Sequence, residues 1–96
     1  MRKKKTEQVG SVAHEVLRAL GVESPYNEYR LVQSWPEVMG EAISHYTSEI
    51  FIRNRVLYVK LKSPALRAQL TMMRLEVTRK LNDYVGAQVI ERIAFT

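Results

Sequence analysis

The sequence contains no cysteine. That excludes disulfides, thiolate nucleophiles and cysteine-bearing zinc sites together, and it is the usage of a reducing compartment. The only histidines, His14 and His45, each stand alone, outside any H-x-x-x-H pair and away from acidic clusters, so no metal site is expected. Gly10, Gly21, Gly40 and Gly86 are too dispersed to build a phosphate-cradling loop, and no serine sits in a G-x-S-x-G context. No stretch approaches the ~20 consecutive apolar residues that cross a bilayer. The basic start, residues 1–5, is followed by Thr6-Glu7-Gln8-Val9-Gly10-Ser11 where a signal peptide would need an apolar run. Glu37 and Glu41 have acid/base spacing, but in an acidic half of the chain an i, i+4 carboxylate pair reads as a solvated helix face. These absences point away from an enzyme, a cofactor and a membrane, and toward a cytoplasmic binding domain.

What is present is 96 residues, 46% apolar and 26% charged, the balance of one soluble globular domain. A chain of this size buries about 60–65% of the surface its unfolded form exposes, which leaves one core and little room for a deep substrate cavity. The net charge of +5 is unevenly placed. Residues 1–5 carry four bases and no acid, and residues 6–52 carry two bases against seven glutamates. Residues 53–80 reverse the sign, with eight bases against Glu76 alone. Local charge sets the field a partner meets, so the two halves of the chain invite different partners.

Arg2-Lys3-Lys4-Lys5 has nothing to pack with, and residues 1–6 read as a flexible basic tail on a single domain over 7–96. Val9, Val12, Ala13, Val16, Leu17 and Leu20 fall at helical spacing, ended by Gly21. Ser24-Pro25 signals a second helix running to about Ser34. Trp35-Pro36 breaks it, and a further helical segment carries Val38, Met39, Ala42 and Ile43 on one side, with Gly40 inside it permitting close packing, against the Trp35 ring for instance. Trp35 and Gly40 are therefore the candidate structural residues. The period then falls to two: Ile50 and Ile52 alternate with Phe51 and Arg53, and Leu57, Val59 and Leu61 alternate with Tyr58, Lys60 and Lys62. Asn54-Arg55 between them predicts a tight antiparallel hairpin. Ser63-Pro64 opens one long helix, with Leu66, Leu70, Met73, Val77, Leu81 and Tyr84 on or near one face and Gly86 at its end. Residues 89–95 suit a third strand. The expected fold is α+β, order α-α-α-β-β-α-β, a three-stranded sheet with helices packed on one face.

The hairpin alternation places Tyr58, Lys60 and Lys62 on the face opposite the apolar residues, with Phe51 and Arg53 extending it. An aromatic beside lysines suits nucleic acid: cations pair with phosphates, and a base stacks on the ring, worth on the order of 1–3 kcal/mol in single strands. Arg55 at the turn and Arg67, Arg74 and Lys80 on the following helix are further candidates for phosphate contacts, as are Arg2, Lys3, Lys4 and Lys5. The bland alternative is that lysines on an exposed sheet face only prevent aggregation.

Trp35-Pro36-Glu37-Val38-Met39-Gly40 and Ala42-Ile43-Ser44-His45-Tyr46-Thr47 resemble the DciA family of bacterial replicative-helicase loaders. So do Leu57-Tyr58-Val59-Lys60-Leu61-Lys62-Ser63-Pro64-Ala65-Leu66, Leu81-Asn82-Asp83-Tyr84-Val85-Gly86 and Val89-Ile90-Glu91-Arg92-Ile93-Ala94-Phe95. The resemblance covers about residues 9–95. It implies a KH-like domain that binds DNA, single-stranded or forked, and contacts the replicative helicase during initiation of DNA replication, in the cytoplasm at the nucleoid. The sequence departs from the family in stopping at Thr96 without a long basic extension and in lacking a tryptophan in the Ser63-Pro64-Ala65-Leu66 segment. An RNA-binding KH-like module and a pure protein-interaction domain are the alternatives, although the G-x-x-G loop of RNA-binding KH domains is missing.

Overall fold

The structure, a computed structural model, describes residues 23–96. The basic tail at residues 2–5, the helix expected over 7–20 and His14 lie outside the described residues. The described elements are α1 (Glu23–Gln33), α2 (Trp35–Met39), α3 (Glu41–His45), β1 (Thr47–Arg53), β2 (Val56–Leu61), α4 (Pro64–Met72), α5 (Arg74–Val85) and β3 (Arg92–Phe95). The sheet order is β1-β2-β3, with β1 antiparallel and β3 parallel to the central β2. The architecture is the α+β arrangement expected, and the α4–α5 segment supplies the crossover that a parallel pair requires.

The hairpin turns on Asn54 and Arg55, both at positive φ (53° and 63°). Two successive left-handed residues make the turn whose twist matches that of antiparallel strands. Period-two burial follows. Leu57, Val59 and Leu61 are buried on β2, and Ile50 and Ile52 on β1 pack against the same core. Ile93 joins them from β3, and the helices close the core with Leu31, Trp35, Leu70, Val77, Leu81 and Val85. The helical layer thus lies on one face of the sheet, and the other face is left to Phe51, Tyr58 and Lys60.

Trp35 is buried where three elements meet. Its ring is 2% exposed, its Nε1 donates to Thr47 Oγ1 at 2.9 Å, and that hydroxyl donates to the Ile43 carbonyl at 2.9 Å. One buried indole therefore ties α2, α3 and β1 together. Asn82 does the same at the other end. Its Oδ1 accepts from the Val89 and Ile90 amides at 2.9 and 3.1 Å, and its Nδ2 donates to the Ile90 carbonyl at 2.9 Å.

Four expectations need correction. Gly40 does not sit inside a helix against the Trp35 ring: it separates α2 from α3 at φ 96°, and a Cβ there would meet nothing within 4 Å. Its role is conformational, since a positive φ of that size is open to glycine and strained for other residues. The long helix after Ser63 is two helices that break at Met73 (φ −105°, ψ 13°). An unbroken helix over that span would run about 33 Å against a strand of about 20 Å. The break lets Leu66 and Leu70 before it, and Val77, Leu81 and Val85 after it, all reach the sheet. Met73 and Tyr84 consequently leave the inward stripe and are 39% and 51% exposed. The third strand is shorter than expected, because Val89 and Ile90 are buried in the irregular segment that Asn82 holds, and only Arg92–Phe95 pairs with β2. Finally, α1 already includes Glu23, so Ser24 lies within the helix and does not precede it.

Candidate nucleic-acid interface

The register fixes how side chains share the outer face. Phe51 pairs with Tyr58, which pairs with Ala94, and that row crosses all three strands. The two rings are stacked, with centroids 5.1 Å apart and planes 17° from parallel, as close cross-strand neighbours of large area tend to be. Phe51 remains 40% exposed, and the Arg53 guanidinium lies 6.0 Å from its ring centroid. On the other side of Tyr58 the neighbouring strand presents only the Ala94 methyl. Tyr58 is half-buried, and its cross-strand neighbour on that side is thus a small residue, not a second large one.

The next row toward the hairpin end runs Arg53, Val56, Arg92. Strands lie about 4.8 Å apart, so the backbones of the two arginines stand roughly 10 Å apart with one apolar residue between them. Both arginines are exposed. Toward the opposite end the register sets the acidic Glu49 opposite Lys60, and Lys62 follows beyond the strand, also exposed. Positive charge unopposed within the face is thus concentrated beside the aromatic pair, at the Arg53–Arg92 end.

Of the residues singled out in the sequence, Phe51, Arg53, Tyr58 and Lys60 come together on this face, with Lys62 at its border. Arg55 is drawn to the hairpin tip, where its Nε lies 3.2 Å from Glu91 Oε2 and its Nη2 donates to the Gln88 carbonyl at 3.1 Å. Its charge is offset there. Arg67 and Arg74 belong to α4 and α5, in the layer on the other side of the sheet. Arg92 and Ala94 escaped the sequence reading. Nothing local marks them, because their place depends on which strand β3 pairs with, in which direction and in which register.

No cluster of three or more His, Asp or Glu residues able to hold a metal occurs among the described residues. The first cleft, of about 240 Å3, lies between the start of α1 and the Ala87–Val89 turn, lined in part by Asn27, Arg55 and Gln88. The second, of about 210 Å3, borders Trp35 and Ile50. Both fall below the ~300–1,000 Å3 of typical small-molecule sites. Among the described residues no helix is long and apolar enough to cross a membrane.

Comparison with known proteins gives a match of residues 8–95 to the family model described as "Dna[CI] antecedent, DciA". The chain belongs to the DciA family. Among DciA relatives, two UPF0232 proteins of Mycobacterium leprae, from strains Br4923 and TN, are each 27% identical over 90 residues, covering 94% of this chain and 48% of the relative. A UPF0232 protein of Rhodococcus jostii (strain RHA1) is 25% identical over 87 residues, covering 91% of this chain and 46% of its own length. The chain therefore spans about half the length of the curated relatives it matches.

Proposed function

We propose that this DciA-family chain is a non-enzymatic, DNA-binding adaptor that helps position the replicative helicase on DNA when bacterial replication starts. The observation that carries the DNA-binding reading is the Phe51–Tyr58 stack on the outer sheet face, its phenylalanine exposed and its tyrosine half-buried, bordered by Arg53 and Arg92 and next to the small Ala94. Flat aromatic area with flanking cations is what single-stranded nucleic acid requires: a base stacks on the aromatic pair while its phosphates meet the arginines. A duplex keeps its bases stacked on one another and would use the charges alone. Single-stranded or forked DNA is accordingly the ligand. Lys60, Lys62 and the basic residues Arg2, Lys3, Lys4 and Lys5 supply further phosphate contacts, and Arg55, Arg67 and Arg74 contribute to the general positive field. Family membership supports the helicase connection, the KH-like arrangement and a place at the nucleoid.

The test is fluorescence anisotropy of labelled single-stranded, forked and duplex DNA, and of RNA of matched sequence, across a salt series. Binding should favour single-stranded and forked DNA, and should fall about tenfold in Tyr58→Ala, in line with the ~1–3 kcal/mol of a base–aromatic stack. Tighter binding to RNA would replace this reading with an RNA-binding one. No binding at low salt would leave a protein-interaction domain.

A further inference from the structure

The most exposed large apolar side chains among the described residues are Met72 at 87% and Leu75 at 75%, and Met73 between them is 39% exposed. They gather where α4 gives way to α5, on helices whose inner faces line the core beneath the sheet. A single exposed leucine needs no explanation, but three large apolar side chains within four residues make a local patch. The bend itself is what turns them outward, since Met73 leaves helical geometry and α4 and α5 bury other residues.

Basic residues predominate along the two helices that carry the patch. Arg67 on α4 and Arg74, Arg79 and Lys80 on α5 are opposed over that span only by Glu76. Arg74 is held in place: its Nη1 donates to the Thr71 carbonyl at 3.0 Å, which fixes a guanidinium beside Met72 and Met73 with its other N–H groups free of that bond. An arginine so placed loses less entropy when a carboxylate binds, and it can do so bidentately. Methionine suits the same purpose, because its unbranched, polarizable side chain adapts to different apolar partners.

We propose that the α4–α5 bend is a docking surface for an acidic protein segment that carries one or two large apolar side chains. The apolar residues seat against Met72, Met73 and Leu75, and the carboxylates meet Arg74 and its basic neighbours. Charge complementarity excludes a basic segment. The shortness of the patch, with Gln69 on one side and Glu76 and Arg79 on the other, disfavours a lipid surface, which binds apolar faces running the length of a helix. The proposal rests on the adaptor reading and deepens it. The sheet's outer face is left for DNA and the helical side for protein, so both can be held at once.

The test uses the full chain, the replicative helicase of the same bacterium and labelled single-stranded DNA, each titrated separately. The variants are Met72→Ala/Leu75→Ala, Arg74→Glu and, as the contrasting change, Tyr58→Ala. Alanine preserves helix propensity, and a thermal melt by circular dichroism checks that each variant folds. The expected result is a loss of tenfold or more in helicase affinity for the first two variants with DNA affinity within about threefold for Met72→Ala/Leu75→Ala, and the reverse pattern for Tyr58→Ala. Unchanged helicase affinity in both bend variants would overturn the docking surface and leave the adaptor reading intact. Absence of helicase binding by the unaltered chain would overturn the adaptor reading itself. Binding to anionic phospholipid vesicles that disappears in Met72→Ala/Leu75→Ala, with helicase binding unaffected, would reassign the patch to a membrane.

Discussion

The Asn82 carboxamide closes α5 onto the segment leading to β3 with three hydrogen bonds, all buried. Replacing it with leucine keeps the volume and strands two amides and a carbonyl away from water, each at about 1–3 kcal/mol, so a loss on the order of 3 kcal/mol or more is expected in urea unfolding. Among the described residues, the acidity of the Tyr84 phenol departs from its ordinary value. Hydrogen bonding to Glu37 raises its pKa above 10.0, helped by desolvation and the carboxylate's charge and opposed by Arg30. A raised phenol pKa means that the folded state favours the neutral form. Its contribution to stability is therefore complete below pH 10 and is lost as the pH climbs through the folded value. In an NMR titration of the Tyr84 ring, Glu37→Gln should bring the midpoint back toward 10.0 and Arg30→Gln should move it further up. An unmoved midpoint in Glu37→Gln would contradict the assigned cause.

At the scale of elements, Gly86 ends α5 in the left-handed conformation (φ 83°), its amide donating to the Asn82 carbonyl at 2.8 Å. No neighbour would clash with a Cβ there, so Gly86→Ala tests the backbone alone, and a loss of about 1 kcal/mol is expected from thermal melts. The outer face makes a different demand on its strands. Ala94 is the small neighbour of Tyr58 on the β3 side, and Ala94→Leu should crowd that ring and weaken single-stranded DNA binding several-fold while the melting temperature stays within a few degrees. Equal affinity in that variant would mean that no base uses the tyrosine face.

Across the whole molecule, the basic and acidic stretches of sequence do not simply become two poles. Arg53, Lys60 and Arg92 reach the outer sheet face, whereas Arg67, Arg74, Arg79 and Lys80 go to the helices behind it. If Arg92 meets a phosphate, Arg92→Gln should lower the slope of log affinity against log salt by about 0.7 for single-stranded DNA. Arg79→Gln, on the helical side, should leave that slope unchanged. Anisotropy at four or five salt concentrations measures both.

Much of this was legible in the chain itself. Alternation about Asn54-Arg55 announced the hairpin and sorted Phe51, Tyr58 and Lys60 from Leu57, Val59 and Leu61, because strand periodicity is a local property that needs no partner to be read. The helix start at Ser63-Pro64 was equally local. The break at Met73, the exposure of Met72 and Leu75, and the arrival of Arg92 and Ala94 beside the aromatic pair were decided by tertiary structure. Helical periodicity runs unbroken through Met73, and only the length of sheet available to α4 and α5 makes one helix into two. Residues 92 and 94 gain their neighbours from a parallel pairing with residues 56 and 58, far back in the sequence, and such a register follows from how the whole core closes.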